Sequence, residues 1–181
     1  MKELSLHILD IAKNSVKAKA SLIEIIVTED EEKNLLSIGI NDNGCGMSEE
    51  FLKRVRDPFS TTRTTRKVGM GIPLFEAASL QCDGEFDITS KEGVGTKVIA
   101  TFRHNHIDRA PLGDMADTVK TLIWGSPEID FLYRHIKNGQ EFTLDTRELK
   151  KVLGDVPLDN PDVLAWIDEY IREGLDGISV S

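Results

Sequence analysis

The apolar positions of this chain change period several times, and each change marks an element. Leu4, Ile8, Ile11, Ala12 and Ser15 recur at helical spacing, which predicts a helix over residues 4–18. His7, Asp10, Asn14 and Lys17 share a second stripe of that helix, three and four residues apart. Residues 22–28 and 35–41 are rich in Ile, Leu and Val and read as two strands, with the polar stretch 29–34 turning between them. Ser48 stands as the N-cap of a short helix, with Glu49 and Glu50 in its first turn and its end before Asp57-Pro58. Residues 59–70 hold Ser, Thr, Arg, Lys and Gly with little apolar periodicity and read as a loop. Pro73 suits the first turn of a helix that reaches Cys82 and stops at Asp83-Gly84. Residues 85–90 and 96–102 form a hairpin about residues 91–95.

After His106 the pattern restarts. A helix is predicted over 114–124, then strands over 129–135 and 141–144 joined through Asn138-Gly139, a hairpin signal. Helices follow over 146–153 and 161–173, the second capped by Asn160 with Pro161 at its first position. The succession predicts an α+β fold: a two-layer α/β sandwich with a mixed sheet under helices, plus a small α+β C-terminal unit. A doubly wound parallel sheet fits it less well.

Charge sharpens the division. Net charge is -9, but residues 1–105 hold 14 Lys/Arg against 16 Asp/Glu, while residues 106–181 hold 8 against 15. Most of the net negative charge, -7 against -2, therefore sits in the last 76 residues. This places a first unit at 1–105 and an acidic accessory unit at 106–181 with a different surface task. The acidity argues against a general nucleic-acid binder. The 181 residues suffice for one substantial core and an appendage. No apolar run approaches membrane-spanning length, so no membrane partner is expected. The first residues lack the basic-then-apolar plan of a signal peptide, and Cys45 and Cys82 make no disulfide framework. A cytoplasmic protein with reduced thiols is the expectation.

Four short pieces carry candidate chemistry. Asn14 offers one amide oxygen on a rigid helix, enough to complete the shell of a magnesium ion that keeps waters and phosphate oxygens. Asp10 lies one turn earlier on the same face and could accept a proton from an attacking water. Taken alone, both are ordinary polar positions of an amphipathic helix. Asp42 ends a strand at Asn43-Gly44-Cys45-Gly46-Met47. Its carboxylate only accepts hydrogen bonds, an adenine amino group donates them, and Gly44 and Gly46 let a flat ring approach the backbone. A plain tight turn after a strand is the competing reading, and a dinucleotide-binding turn ranks below both, because its third glycine is absent. Residues 53–67 carry Lys53, Arg54, Arg56, Arg63, Arg66 and Lys67 against Asp57 alone, with Thr61, Thr62, Thr64 and Thr65 adding hydroxyls. Phosphates suit such groups, and a solvated loop is the equal alternative. Gly69 and Gly71 would hinge this segment, with Met70 between them and Ile72 opening the next helix. Gly93-Val94-Gly95-Thr96 reads first as a hairpin, with Thr96 able to face the nucleotide side of the sheet. Together these pieces equip an ATP site that has no Walker loop.

The pieces in this order resemble the GHKL superfamily of ATPases, over roughly residues 1–103. Residues 9–18 are similar to its N box, which implies Asn14 as magnesium ligand. Residues 42–46 are similar to its G1 box, which implies adenine binding by Asp42. Asp57-Pro58-Phe59-Ser60-Thr61-Thr62 followed by Gly69-Met70-Gly71-Ile72 resembles the F and G2 region of histidine kinases, with the ATP lid between, including Thr62 and Arg63. Residues 93–96 resemble the last box. The resemblance implies the Bergerat sandwich, with ATP and Mg2+ as cofactors. Hydrolytic members usually place Glu where this chain has Asp10, which leaves hydrolysis open. No helical phosphoacceptor unit stands in this sequence, so autophosphorylation of the ordinary kind is not expected within it. The expectation is a kinase-like, ATP-binding signal-transduction protein that phosphorylates or regulates a protein partner met through the acidic C-terminal unit. A slow ATPase acting as a conformational switch, and a nucleotide-responsive binding module without turnover, stay open beside it.

Overall fold

Alternate residues of a strand face opposite sides of a sheet, so a strand covered by helices on one side buries every second side chain. The strands here do so: Ile23, Ile25 and Val27 of one, and Leu36, Ile38 and Ile40 of the next, are buried between less buried neighbours. The computed structural model describes residues 3–57 and 71–179. Its first elements are α1 (Leu4–Lys17), β1 (Leu22–Asp30), β2 (Leu35–Asp42), α2 (Glu49–Arg56), α3 (Gly71–Gln81), β3 (Phe86–Lys91) and β4 (Gly95–Arg103). They are followed by α4 (Met115–Gly125), β5 (Asp130–Lys137), β6 (Gln140–Asp145), α5 (Thr146–Leu153) and α6 (Pro161–Ser179).

Local chemistry sets these bounds. The Ser48 hydroxyl accepts from the Phe51 N–H, and Asp114 and Asp145 accept from the Asp117 and Arg147 N–H groups at the starts of α4 and α5. Asn160 Oδ1 does the same for α6 through the Asp162 N–H at 2.9 Å. α6 runs six residues beyond the predicted end at Glu173. Gly174 and Gly177 dilute the helical signal there, yet Ile178 is buried and Leu175 packs on the core. Gly174 has a packing role: a Cβ at that position would lie 2.1 Å from the Phe142 ring.

The strands form one mixed sheet in the order β3-β4-β2-β1-β5-β6. Every neighbouring pair is antiparallel except β1 and β5, which run parallel from Leu22↔Asp130 to Glu29↔Lys137. The strands after residue 106 therefore lengthen the sheet built before it. α4 packs on α1, and a single buried cluster joins Ile8, Ile25 and Phe75 to Val119, Ile123 and Phe131.

A chain of polar groups crosses the β1–β5 seam. Glu29 Oε2 accepts from His135 Nε2 at 2.7 Å, Glu29 Oε1 lies 3.1 Å from His104 Nε2, and the Tyr133 hydroxyl lies 2.8 Å from His135 Nδ1. With Nε2 carrying the proton toward Glu29, Nδ1 accepts from Tyr133. The His135 hydrogen bond is the main cause that holds the Glu29 carboxyl down at about 2. A depressed carboxyl contributes stability above its unfolded value, and this contribution is lost as pH falls from 4.5 toward 2.

His7 is the opposite case. It is 4% exposed, its ring stacks on Phe75 with centroids 5.4 Å apart, and Nδ1 has no hydrogen-bond partner among the described residues. Burial lowers its pKa from 6.5 to about 4. Because the folded value lies below the unfolded one, stability is complete above pH 6.5 and declines as pH falls toward 4. The expected loss by pH 4.5 is about 2–3 kcal/mol. His7→Phe keeps the ring stack without the titrating group, so urea unfolding at pH 7.5 and 4.5 should show that much less difference in the variant. Equal pH slopes in both proteins would refute the assignment.

Candidate functional site

The site begins where β2 runs out at Asp42 and the chain must turn between α1 and the β3–β4 hairpin. Asn43 pins this turn to the start of β1: its Oδ1 accepts from the Ser21 and Leu22 N–H groups at 2.8 and 3.0 Å, and its Nδ2 donates to Ser21 Oγ at 2.8 Å. The Cys45 N–H donates to the Ala18 carbonyl at 2.9 Å, at the end of α1. On the other side the Gly93 N–H donates to the Cys45 carbonyl at 2.8 Å. The backbones meet too closely for side chains. A Cβ at Gly46, whose φ is +71°, would lie 2.0 Å from the Lys91 carbonyl oxygen, and one at Gly95 would lie 2.0 Å from that of Asp42. The glycines of the second and fourth sequence motifs thus hold those motifs against each other.

The Asp42 carboxylate is held from two directions. Oδ1 accepts from the Gly44 N–H at 2.8 Å, and Oδ2 accepts from the Ser15 hydroxyl of α1. Each oxygen keeps a further lone pair. Thr96 is the cross-strand partner of Asp42. Its hydroxyl meets Ser90 Oγ at 2.8 Å, and Ser90 Oγ also accepts from the Met47 N–H at 2.8 Å.

Between these parts lies a cavity of about 210 Å³. Ile11, Ile40, Met47, Phe51, Ile72 and Val98 supply its apolar walls. Asn14, Ser15, Lys17, Asp42 and Thr96 supply the polar groups. An apolar slot ending in an anchored acceptor suits a flat heteroaromatic ring that carries a donor. Asn14 lines the same cavity from α1 and brings an amide side chain to its polar wall. Among the described residues no group of three His, Cys, Asp or Glu could hold a metal ion alone, so the donor set fits magnesium only in company with phosphate oxygens.

Of the residues expected from sequence, Asn14, Asp42, Gly46, Met47, Ile72 and Thr96 line this one cavity. Gly44 stands behind it, where a Cβ would lie 2.8 Å from Ala18. Gly71 begins α3 against Asp10: a Cβ at Gly71 would lie 3.3 Å from the Asp10 Cβ. Asp10 is one turn from Asn14 and outside the cavity lining. Burial raises its pKa, opposed by Lys13. Thr62, Arg63, Gly69 and Met70, with Arg66 and Lys67, lie outside the described residues. Arg56 of the basic segment is already committed to Glu76, at 2.8 Å.

Sequence reasoning missed Ser15, Phe51 and Ser90. Ser15 had a signal: it is the polar member of the buried stripe of α1, and a hydroxyl there needs a partner. Phe51 and Ser90 had none, because their roles depend on which elements meet.

A family model described as "Histidine kinase-, DNA gyrase B-, and HSP90-like ATPase" matches residues 2–106, more than half of the chain. Sporulation kinase E of Bacillus subtilis is 33% identical over 89 residues, 49% of this chain and 12% of that protein. Sensor histidine kinase YxdK of the same organism is 31% identical over 108 residues, 56% of this chain and 33% of that protein. A putative sensor protein of Shewanella frigidimarina is 33% identical over 97 residues, 52% of this chain and 15% of that protein. The chain thus spans no more than a third of the length of any of these three relatives. Among solved structures, the Aquifex aeolicus MutL ATPase domain complexed with ADP superposes with a TM-score of 0.52 at 17% identity, covering 84% of this chain and 69% of that one. That likeness concerns the fold.

Proposed function

We propose that this chain, which belongs to the histidine kinase-, DNA gyrase B- and HSP90-like ATPase family, binds ATP with magnesium and uses it to phosphorylate or regulate a protein partner. The observation that carries the reading is the Asp42 carboxylate, anchored by Ser15 and Gly44 at the wall of an apolar cavity that Asn14 also lines. The adenine ring would lie between the apolar walls, with its amino group donating to Asp42. Asn14 would hold the magnesium ion, which supplies charge neutralisation to the phosphates. The segment from Thr62 and Arg63 to Gly69 and Met70 would close over those phosphates. Residues 106–181 would present the partner-binding surface. The free thiols of Cys45 and Cys82 suit a reducing cytoplasm.

Asp10 favours a second reading, slow hydrolysis with lid closure as a switch. Its carboxyl is partly buried with a raised pKa, one turn from Asn14, where it could accept a proton from an attacking water or a partner hydroxyl. Asp10→Asn should leave ATP affinity unchanged and lower turnover by about 100-fold or more, the usual reach of a general base. Phosphate release and transfer of labelled γ-phosphate to an added protein, measured in parallel, separate the two readings. Equal turnover in both forms would remove Asp10 from either.

A further inference from the structure

The last third of the chain carries an aromatic surface that the nucleotide site does not use. Trp166 and Tyr170, one turn apart on α6, stack with ring centroids 4.8 Å apart and planes within 10°. Trp166 is 48% exposed and Tyr170 40%. Facing them across a groove are Glu148, Leu149 and Val152 of α5, with Val152 84% exposed. Apolar side chains this exposed, gathered on one groove, mark an interaction surface more often than they decorate a free one.

The surroundings are acidic in a particular way. Asp162, Glu169 and Glu173 are exposed and share the helical stripe of Trp166 and Tyr170. None of the three has an ion-pair partner among the described residues. The cations of α5 and α6, in contrast, are occupied: Arg147 on Asp145, Lys150 on Asp130, Lys151 on Glu148, and Arg172 on Asp168 and Asp114. The rim therefore presents uncompensated negative charge about an aromatic floor. A nucleic acid or an anionic membrane would be repelled, whereas a cationic side chain finds both carboxylates and ring faces.

We propose that the α5–α6 groove docks a cationic segment of a protein partner, an apolar anchor side chain entering beside Trp166 and Tyr170 and flanking Lys or Arg meeting Glu169, Glu173 and Asp162. The proposal rests on the reading that residues 106–181 face a partner, and it names the surface and the chemistry that the partner must carry. Burial of the aromatic pair supplies affinity, and the acidic rim supplies selectivity and association rate.

The test is fluorescence anisotropy of three labelled peptides of equal length against the full chain: Lys/Leu amphipathic, Lys/Ser of the same charge, and Glu/Leu. Saturable binding of the Lys/Leu peptide alone is expected. Trp166→Ser and the double charge reversal E169K/E173K should each weaken it about tenfold or more, while Trp166→Tyr retains most of it. Circular dichroism and binding of a fluorescent ATP analogue in the same samples confirm that the variants are folded. The double reversal breaks no ion pair among the described residues, so it keeps the test valid if Trp166→Ser destabilises α6. Equal binding of the Lys/Ser peptide would reduce the surface to charge alone and overturn the proposal. So would no binding of the Lys/Leu peptide, or unchanged affinity in the variants. A dimer in sedimentation that E169K/E173K dissociates would assign the groove to a second copy instead. Peptide binding as expected in a protein that neither transfers nor hydrolyses γ-phosphate would leave the groove standing and remove the catalytic reading. Phosphotransfer to an added protein, with no peptide binding, would do the reverse.

Discussion

Asp42→Asn is expected to lower ATP affinity by about 100-fold or more, with the fold left intact. The carboxylate already accepts from the Gly44 N–H and the Ser15 hydroxyl, and its remaining lone pairs are what an adenine amino group would meet. An amide has one oxygen where the carboxylate had two. That oxygen must stay with the Gly44 N–H, which can only donate, so the NH2 group turns toward Ser15. The hydroxyl can rotate to accept, and the protein keeps its hydrogen bonds. The incoming amino group instead finds a donor facing it. A lost hydrogen bond to a charged group is worth about 1.5–3 kcal/mol, and an opposed pair of donors adds the cost of desolvation without return. Titration calorimetry with ATP, alongside a thermal melt, checks both halves. Wild-type affinity in the variant would move the adenine away from Asp42.

Residues 1–105 alone are expected not to fold into a stable monomer, although the family model matches residues 2–106. Removing the rest strips β5 from an eight-residue parallel pairing with β1. It also removes α4 from α1. Met115, Val119, Leu122, Ile123, Phe131 and Tyr133 are all no more than 4% exposed. Six such side chains are worth on the order of 10 kcal/mol at the usual value for apolar burial, as much as the whole stability of a typical domain. The truncated chain should aggregate, or show no cooperative thermal transition. A sharp melt from a monodisperse 1–105 fragment would instead make the charge step at residue 105 a true domain boundary.

The elements themselves were legible because their evidence is local. Caps at Ser48 and Asn160, the Asn138-Gly139 turn and the alternation in β1 and β2 each act within a few residues. The site was legible in its parts because each motif has a chemistry of its own. Its assembly was not. Nothing near Ser15 says that its hydroxyl will reach a carboxylate 27 residues on, and nothing near Gly95 says that its missing Cβ makes room for the Asp42 backbone. The partner of β5 was equally hidden. A strand pattern shows which side faces the core, never which neighbour it will have. Glu29, read as the start of a polar turn, proved to be a partly buried acid near the end of β1, with two histidines holding it.

The parallel seam also sets an order in time. Leu22 pairs opposite Asp130, 108 residues later. At a ribosomal rate of roughly 5–20 residues per second, β1 is made many seconds before the strand that completes it. Until then its free edge shows Ile23, Ile25, Ile26 and Val27 beside open backbone donors and acceptors. Nascent chains of this protein should pass through an interval of chaperone dependence that ends when residue 137 emerges, and slowing translation between β4 and β5 should lengthen it.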